Sequence, residues 1–269
     1  MAKINIEEEI KRFKIIDSHM HLGVAANTLY YKYSDERVIE LEKKFNVRKV
    51  LCSPIIGIFG DLDAQIENVL EAQGKFGDFI CWQLVYAAEQ PERSLGIIEK
   101  YRSKINFAGV KVWSVGSGFC LDNIKYYPLY EYAVANDIVV AAHTWSPYTE
   151  NPRQIYGNPL LLEKVLKDFP GLKVLLVHSG GKVDFYDEVI ELVKKHETLY
   201  MDFSGDCFYP PVFKKVLNKV GRGRSLFGTD MPMMDIRYHI SNVMAADISD
   251  SDKEDIFYNN AARLFNIKK

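Results

Sequence analysis

The sequence has little cysteine, no long apolar run and no surplus of either charge. Its 269 residues include four cysteines, Cys52, Cys81, Cys120 and Cys207. They are widely spaced and none forms a CxxC pair, which excludes a zinc knuckle, a thioredoxin-type motif and a disulfide framework. The expectation is free thiols, buried or half-buried, in a reducing compartment. The longest uninterrupted aliphatic run, 138–142, falls far short of the ~20 residues of a spanning helix. The acidic N-terminus lacks the apolar centre of a signal peptide. These absences read as a soluble, cytoplasmic protein with no membrane partner. Lys and Arg number 34 against 36 Asp and Glu, a net charge of −2. The clustered positive surplus that nucleic acid or an anionic membrane requires is missing. There is no low-complexity tract, linker or composition shift, so 1–269 reads as a single domain.

What is present is a repeating pattern. Short apolar, β-branched runs end in polar or glycine residues at 14–21, 49–55, 79–86, 107–113, 138–144, 173–179, 199–205 and 225–230. Amphipathic stretches separate them, at 34–45, 63–76, 91–101, 127–136, 159–169, 184–195 and 211–220, and two more at 235–246 and 250–264 close the chain. The runs are continuous rather than alternating, which suits parallel strands covered on both faces. Eight strand–helix units in 269 residues match the size of a (β/α)₈ TIM barrel, about 250 residues. A doubly wound open sheet is the alternative. Against it, neither GxGxxG nor GxxxxGK[ST] follows the first strand, so the usual nucleotide loop is absent.

The chemistry gathers where strands end. The first run ends Asp17-Ser18-His19-Met20-His21, the fifth at His143, the sixth at His178 and the eighth at Asp230. In a parallel barrel the C-terminal strand ends converge on one rim, which carries the active site. His19 and His21, two apart on a strand, share a face. Neutral imidazole is the commonest nitrogen ligand for zinc and related metals. Taken singly, His143 and His178 read as core histidines and Asp230 as a helix cap. Four imidazoles and a carboxylate converging in one mouth would be costly to desolvate without a cation or substrate, so together they read as a metal site. His196 and His239 fall in helical stretches and read as surface residues.

These segments resemble the amidohydrolase superfamily, in the amidohydrolase-related branch that also contains metal-dependent decarboxylases. The matching stretches are IIDSHMH, GVKVW at 109–113, VVAAHT at 139–144 and FPGLKVLLVHSGG at 169–181. Further matches are LYMDFSG at 199–205, SLFGTDMP at 225–232 and NNAARLF at 259–265. They occur in family order along nearly the whole chain. The resemblance implies a (β/α)₈ barrel with one divalent metal ion, most often zinc, with manganese as the other candidate. It implies His19, His21, His143 and Asp230 as metal ligands. Asp230 would also act as acid and base, and His178 would polarise the reacting group. Lys111 stands where some members carry a carbamylated, metal-bridging lysine; here it reads as a substrate-binding residue or a structural ion pair.

A metal lowers the pKa of bound water toward ~7. Asp230 could take that water's proton and His178 could donate to the developing oxyanion. The expectation is therefore a hydrolase acting on an amide, lactone or ester. The alternative is a metal-dependent decarboxylase of an aromatic or conjugated carboxylate, since the same ligands serve both. A barrel that binds without catalysis is the third class. Chain length mildly favours the hydrolase. Trp113, Phe119, Trp145, Tyr148, Phe208 and Tyr209 lie in loops after strands. Trp113 and Trp145 are the candidates for stacking a planar small-molecule substrate. No interface signature stands out, and a homodimer stays open.

Overall fold

The structure, a computed structural model, describes residues 6–23, 33–206 and 208–268. Eight strands follow one another round one sheet in chain order. They are β1 Ile15–Leu22, β2 Val47–Pro54, β3 Ile80–Val85, β4 Phe107–Val112, β5 Val139–His143, β6 Lys173–Val177, β7 Leu199–Asp202 and β8 Ser225–Leu226. Every neighbouring pair is parallel. The expected (β/α)₈ barrel is what the chain forms. Its accessible surface of 11834 Å² agrees with the roughly 12,000 Å² that its mass predicts.

Strand alternation sorts the side chains into two layers. Ile16, Leu51, Val139, Ala141, Leu175, Val177 and Leu226 form one apolar cluster, with Ala261, Ala262 and Leu264 joining it. On β5 the same face continues from Val139 and Ala141 to His143, so this cluster is the barrel interior and the histidine stands above it. The other parity, including Val140, Ala142, Val174 and Leu176, packs outward into the larger core beneath the helices. Gly109 on β4 is required by this packing, since a Cβ there would lie 2.6 Å from the Val139 carbonyl oxygen.

On β1 one extra residue is accommodated between Asp17 and Met20, opposite Val50 and Cys52 of β2. Such a bulge shifts the alternation by one. It carries His19 and His21 onto the inward side already begun by Ile16.

Helices begin where the sequence offers caps. The Ser34 hydroxyl accepts from the Arg37 N–H ahead of Asp35–Lys44, and Asp61 accepts from Ala64 ahead of Leu62–Phe76. Pro91 opens Pro91–Tyr101, where its missing N–H costs nothing.

Three strands stop two or more residues before the ends of their runs. The run 173–179 stops at Val177 because His178 and Ser179 take φ of 67° and 48°. The run 225–230 gives only a two-residue β8, with Asp230 at φ 58°, and 199–205 stops at Asp202. Left-handed backbone cannot continue a strand, which ends β6 at Val177. The stretch 250–264 is helical throughout but opens into a wider π turn at Asp255–Asn259.

Two histidines differ from their expected placement. His239 is buried with Ile236, Ile240 and Val243 on the inward face of Ile236–Met244, because spacings of three and four put them on one side. His196 is half-buried, and its carbonyl accepts from Arg224 at 2.7 Å. Cys52 is buried, Cys81 and Cys120 are half-buried, and all three are free; Cys207 lies outside the described residues. No described helix is long and apolar enough to cross a membrane.

Burial lowers the His239 pKa to about 4, against the pull of Asp230. The unfolded chain therefore binds a proton that the folded chain refuses between pH ~6.5 and ~4. Its contribution is present in full above ~6.5 and lost as the pH falls through that window, on the order of 3 kcal/mol. Denaturant melts of wild type and His239→Gln across pH 7 to 4 should show the wild type losing stability more steeply. Parallel pH profiles would contradict a buried neutral imidazole.

Candidate metal centre

The barrel closes between β8 and β1 without a regular ladder, and side chains do much of the work. The Ser18 N–H and hydroxyl both donate to the Phe227 carbonyl, at 2.9 and 2.7 Å. The Asp230 N–H donates to the His19 carbonyl at 2.8 Å and the His21 N–H to the Met231 carbonyl at 2.6 Å. Asp17 spans the junction. Its Oδ1 accepts from the His19 N–H at 3.0 Å and the Thr229 N–H at 3.1 Å, and Oδ2 meets the Thr229 hydroxyl at 2.5 Å. Burial pushes the Asp17 carboxyl up to about 8 against these bonds. Gly228 lets the backbones approach, since a Cβ there would lie 3.2 Å from His19 Cβ and from Asp202 Cγ.

This junction sets three donor atoms together. His19 Nε2 and His21 Nε2 are 3.1 Å apart. Asp230 Oδ1 is 3.2 Å from His21 Nε2 and 3.7 Å from His19 Nε2. Metal bonds of about 2.0–2.2 Å put neighbouring ligand atoms about 3.0–3.5 Å apart. The three atoms match one face of such a site to within a few tenths of an ångström. His21 Nδ1 lies 3.0 Å from the Ser53 carbonyl oxygen. That oxygen can only accept, so Nδ1 carries the hydrogen and Nε2 offers a lone pair, as outer partners of metal-bound histidines do. The residues present thus fit a divalent metal.

Charge in the cluster is unevenly shared. Burial, then Lys111 and the neighbouring imidazoles, holds His19 well below the usual histidine range; burial does the same to His143 and lowers His178 against the pull of Asp230 and Asp202. Burial opposes ionisation of Asp230, but its contact with His21 and the nearby His178 and Lys111 outweigh it and hold the carboxyl at about 2. Burial lowers Lys111 to about 8, against Asp230 and Asp202. Its Nζ lies 2.9 Å from His19 Nε2.

His143 faces the same cavity, but its Nε2 lies 3.3 Å from Gln154 Oε1, apart from the donor trio of His19, His21 and Asp230. His178 packs edge-on to His19 and His143 with ring centroids 5.0 and 4.8 Å apart. Its Nδ1 turns away to Ser204. Asp230 does not cap the following helix; Asp235 does, accepting from the Arg237 N–H at 2.8 Å.

The cavity above the trio has a volume of about 180 Å³ and is walled by Ile55, Ile58, Phe59, Lys111, Trp113 and Met233. Ile58, Phe59 and Trp113 also border an outer groove of about 570 Å³. Trp113 is therefore on the wall, edge to face with Phe59 at 5.7 Å. Trp145 is not among the cavity-lining side chains. It stacks behind His143 at 6.1 Å and 8°, packed so closely that a Cβ on Gly181 would fall 2.4 Å from its ring. Tyr148 packs on Phe185 and Phe208 on Tyr238, away from the cavity. Sequence reasoning missed Asp17, Ser53, Phe59, Asp202, Ser204 and Thr229. Asp17 and His19, and Asp202 and Ser204, are i,i+2 pairs at strand ends, and that spacing was the available signal.

Fold and site together define a (β/α)₈ barrel with a metal-type donor set at the C-terminal rim. The amidohydrolase family model matches residues 16–267, and the chain belongs to that enzyme family. It is 22% identical over 254 residues to gamma-resorcylate decarboxylase of Polaromonas sp., covering 77% of this chain and 75% of that protein. The fold is similar to 2,6-dihydroxybenzoate decarboxylase from Rhizobium, with a TM-score of 0.72, 16% identity and coverage of 95% and 99% of the two chains. It is also similar to 5-carboxyvanillate decarboxylase from Novosphingobium aromaticivorans, complexed with manganese and 4-hydroxy-3-methoxy-5-nitrobenzoic acid. There the TM-score is 0.74, with 16% identity and coverage of 95% and 96%. These relatives overturn the expectation of a hydrolase: the activities they carry are decarboxylations. The oxyanion-donor role read for His178 was part of that hydrolytic reading and goes with it; His178 itself lines the cavity, with its Nδ1 bonded to Ser204. The preference for zinc finds no support in them either.

Removing the Asp17 carboxyl tests the junction. Asp17→Ala strands the His19 N–H and the Thr229 hydroxyl in a dry interior, at about 1–3 kcal/mol each. Denaturant unfolding should show roughly 2–5 kcal/mol lost, with Asp17→Asn keeping most of it. A loss below about 0.5 kcal/mol for Asp17→Ala, the range of a surface change, would mean that the junction is held elsewhere.

Proposed function

We propose that this chain is a metal-dependent decarboxylase of a small aromatic carboxylic acid. The observation that carries the reading is the His19–His21–Asp230 trio at the floor of a small, largely apolar cavity with one buried lysine. The decarboxylase relatives, which align along most of the chain, support it. The cavity of about 180 Å³ is below the ≈ 300–1,000 Å³ of drug-sized pockets, which favours a single substituted ring. Manganese is the better candidate for the one ion, given the manganese in the solved relative.

His19, His21 and Asp230 would hold the ion, with His143 as the further candidate ligand. When bound, the metal supplies a Lewis acid that anchors oxygens of the substrate. His19 Nε2 has one in-plane lone pair, and Lys111 takes it in this structure. With that lone pair given to an ion, the Lys111 ammonium would be free to meet the substrate carboxylate. Trp113 and Phe59 offer faces and edges to the ring, and the aliphatic wall excludes water. Such a wall favours decarboxylation, because charge localised on the carboxylate disperses as the C–C bond breaks.

The reaction needs a proton on the ring carbon that carries the carboxylate. Asp230, ionised in the free protein, would take a proton from a ring hydroxyl of the bound substrate carboxylate and deliver it to that carbon. The C–C bond then breaks, its electron pair restores the ring, and CO₂ departs. His178 shares the cavity and is the second candidate for handling protons.

Manganese-loaded protein should release CO₂ from one or more hydroxybenzoates or carboxyphenols. Asp230→Asn should lose about 10²–10⁴-fold in turnover at saturating metal, the usual worth of general acid–base catalysis. Release of CO₂ from no member of such a panel by metal-loaded protein, with turnover of esters or lactones instead, would overturn the reading.

A further inference from the structure

One hydroxyl touches both histidines that flank the cavity floor. Ser204 Oγ lies 2.9 Å from His19 Nδ1, 3.0 Å from His178 Nδ1 and 2.6 Å from Asp202 Oδ1. A serine hydroxyl has one hydrogen to donate and two lone pairs to accept with. Asp202 Oδ1 also receives the His178 N–H and the Ser204 N–H, both at 3.0 Å. With two backbone N–H donors already on it, that oxygen is an acceptor, so the single Ser204 hydroxyl hydrogen goes there. Both imidazoles must then donate their Nδ1 hydrogens to Ser204 Oγ.

Two contacts agree independently. His178 Nδ1 lies 3.1 Å from the Ser204 carbonyl oxygen, which can only accept, so that nitrogen carries hydrogen. His19 Nε2 lies 2.9 Å from the Lys111 ammonium, which can only donate, so hydrogen on His19 sits on Nδ1. The opposite arrangement, with Ser204 donating to either ring, leaves Asp202 Oδ1 facing a hydroxyl oxygen at 2.6 Å with no hydrogen between them.

We propose that Ser204, anchored by Asp202, is a positioning residue that fixes His19 and His178 together as Nδ1–H tautomers and turns both Nε2 lone pairs into the cavity. It touches neither substrate nor metal. Its consequence for His19 is a ligand lone pair aimed at His21 and Asp230, and this half rests on the metal reading above. Its consequence for His178 is an Nε2 that accepts a proton or a metal and does not donate to an oxyanion. The group of His19, His178 and Asp202 that also lies within metal-ligand range is, on this account, a hydrogen-bonded support and holds no ion. Its two imidazole nitrogens there are donors, with no lone pair left for a cation.

Long-range ¹H–¹⁵N correlation spectra of metal-free protein labelled with ¹⁵N-histidine read the tautomers directly, with no substrate and no activity. Assignment uses His19→Gln and His178→Gln. Wild type should show hydrogen on Nδ1 of both rings. Ser204→Ala should give mixed tautomers at one or both and weaken manganese binding by about 10–100-fold, the usual cost of losing an outer partner. Ser204→Thr, which keeps the hydroxyl, should restore both. Hydrogen on Nε2 of either ring in the wild type would overturn the proposal, and this measurement stands even if Ser204→Ala does not fold. Unchanged tautomers in folded Ser204→Ala would overturn it too. Correct tautomers together with no decarboxylation would leave it intact and count only against the proposed activity.

Discussion

The Asp17 carboxyl bridging β1 and the β8 loop is the constraint on which the site depends. β8 pairs with β7 over only two residues, and no regular ladder joins it to β1. Asp17 supplies what the backbone does not, accepting from the His19 N–H, the Thr229 N–H and the Thr229 hydroxyl. The donor trio lies across this same line, with His19 and His21 on β1 and Asp230 beyond β8. An error of one ångström in closing the barrel is an error of one ångström in the site. The left-handed backbone of Asp230 belongs to the same arrangement. Aspartate tolerates that conformation better than most residues, and the bond from its N–H to the His19 carbonyl holds it there.

Around this line the site is layered by what each atom can donate or accept. Ser53 and Ser204 take the Nδ1 hydrogens of His21 and His19, leaving lone pairs toward the cavity. Burial keeps the imidazoles neutral, and neutral imidazole is the form that binds a metal. Lys111 brings the only lysine ammonium among the cavity-lining residues, set against His19 and close to Asp230. On the proposed reading, this cluster of nitrogens, one carboxylate and one ammonium would take a divalent cation and an anionic ligand together.

Much of this was legible in the chain and some was not. Continuous runs such as VLLVH gave β6, and His19 with His21 declared a shared face through their spacing alone. The extent of β8 was not legible, because 225–230 is apolar enough for a strand, yet only Ser225 and Leu226 pair with β7. His239 was legible in principle, since Ile236, Ile240 and Val243 mark its face as the buried one. Asp17, Asp202 and Ser204 act through tertiary hydrogen bonds, and the i,i+2 spacing of Asp17 with His19 and of Asp202 with Ser204 was their trace in the chain. The reaction was the least legible feature. Hydrolysis and decarboxylation use the same ligand types, so it was relatives, not ligands, that counted against hydrolysis.

The most direct test is anomalous diffraction at the manganese edge from crystals of the manganese-loaded protein. The account predicts one strong peak about 2.0–2.3 Å from His19 Nε2, His21 Nε2 and Asp230, with Lys111 Nζ withdrawn from His19. A peak centred between His178 and Asp202, no peak at the barrel mouth, or Lys111 still bonded to His19 beneath the ion would contradict it.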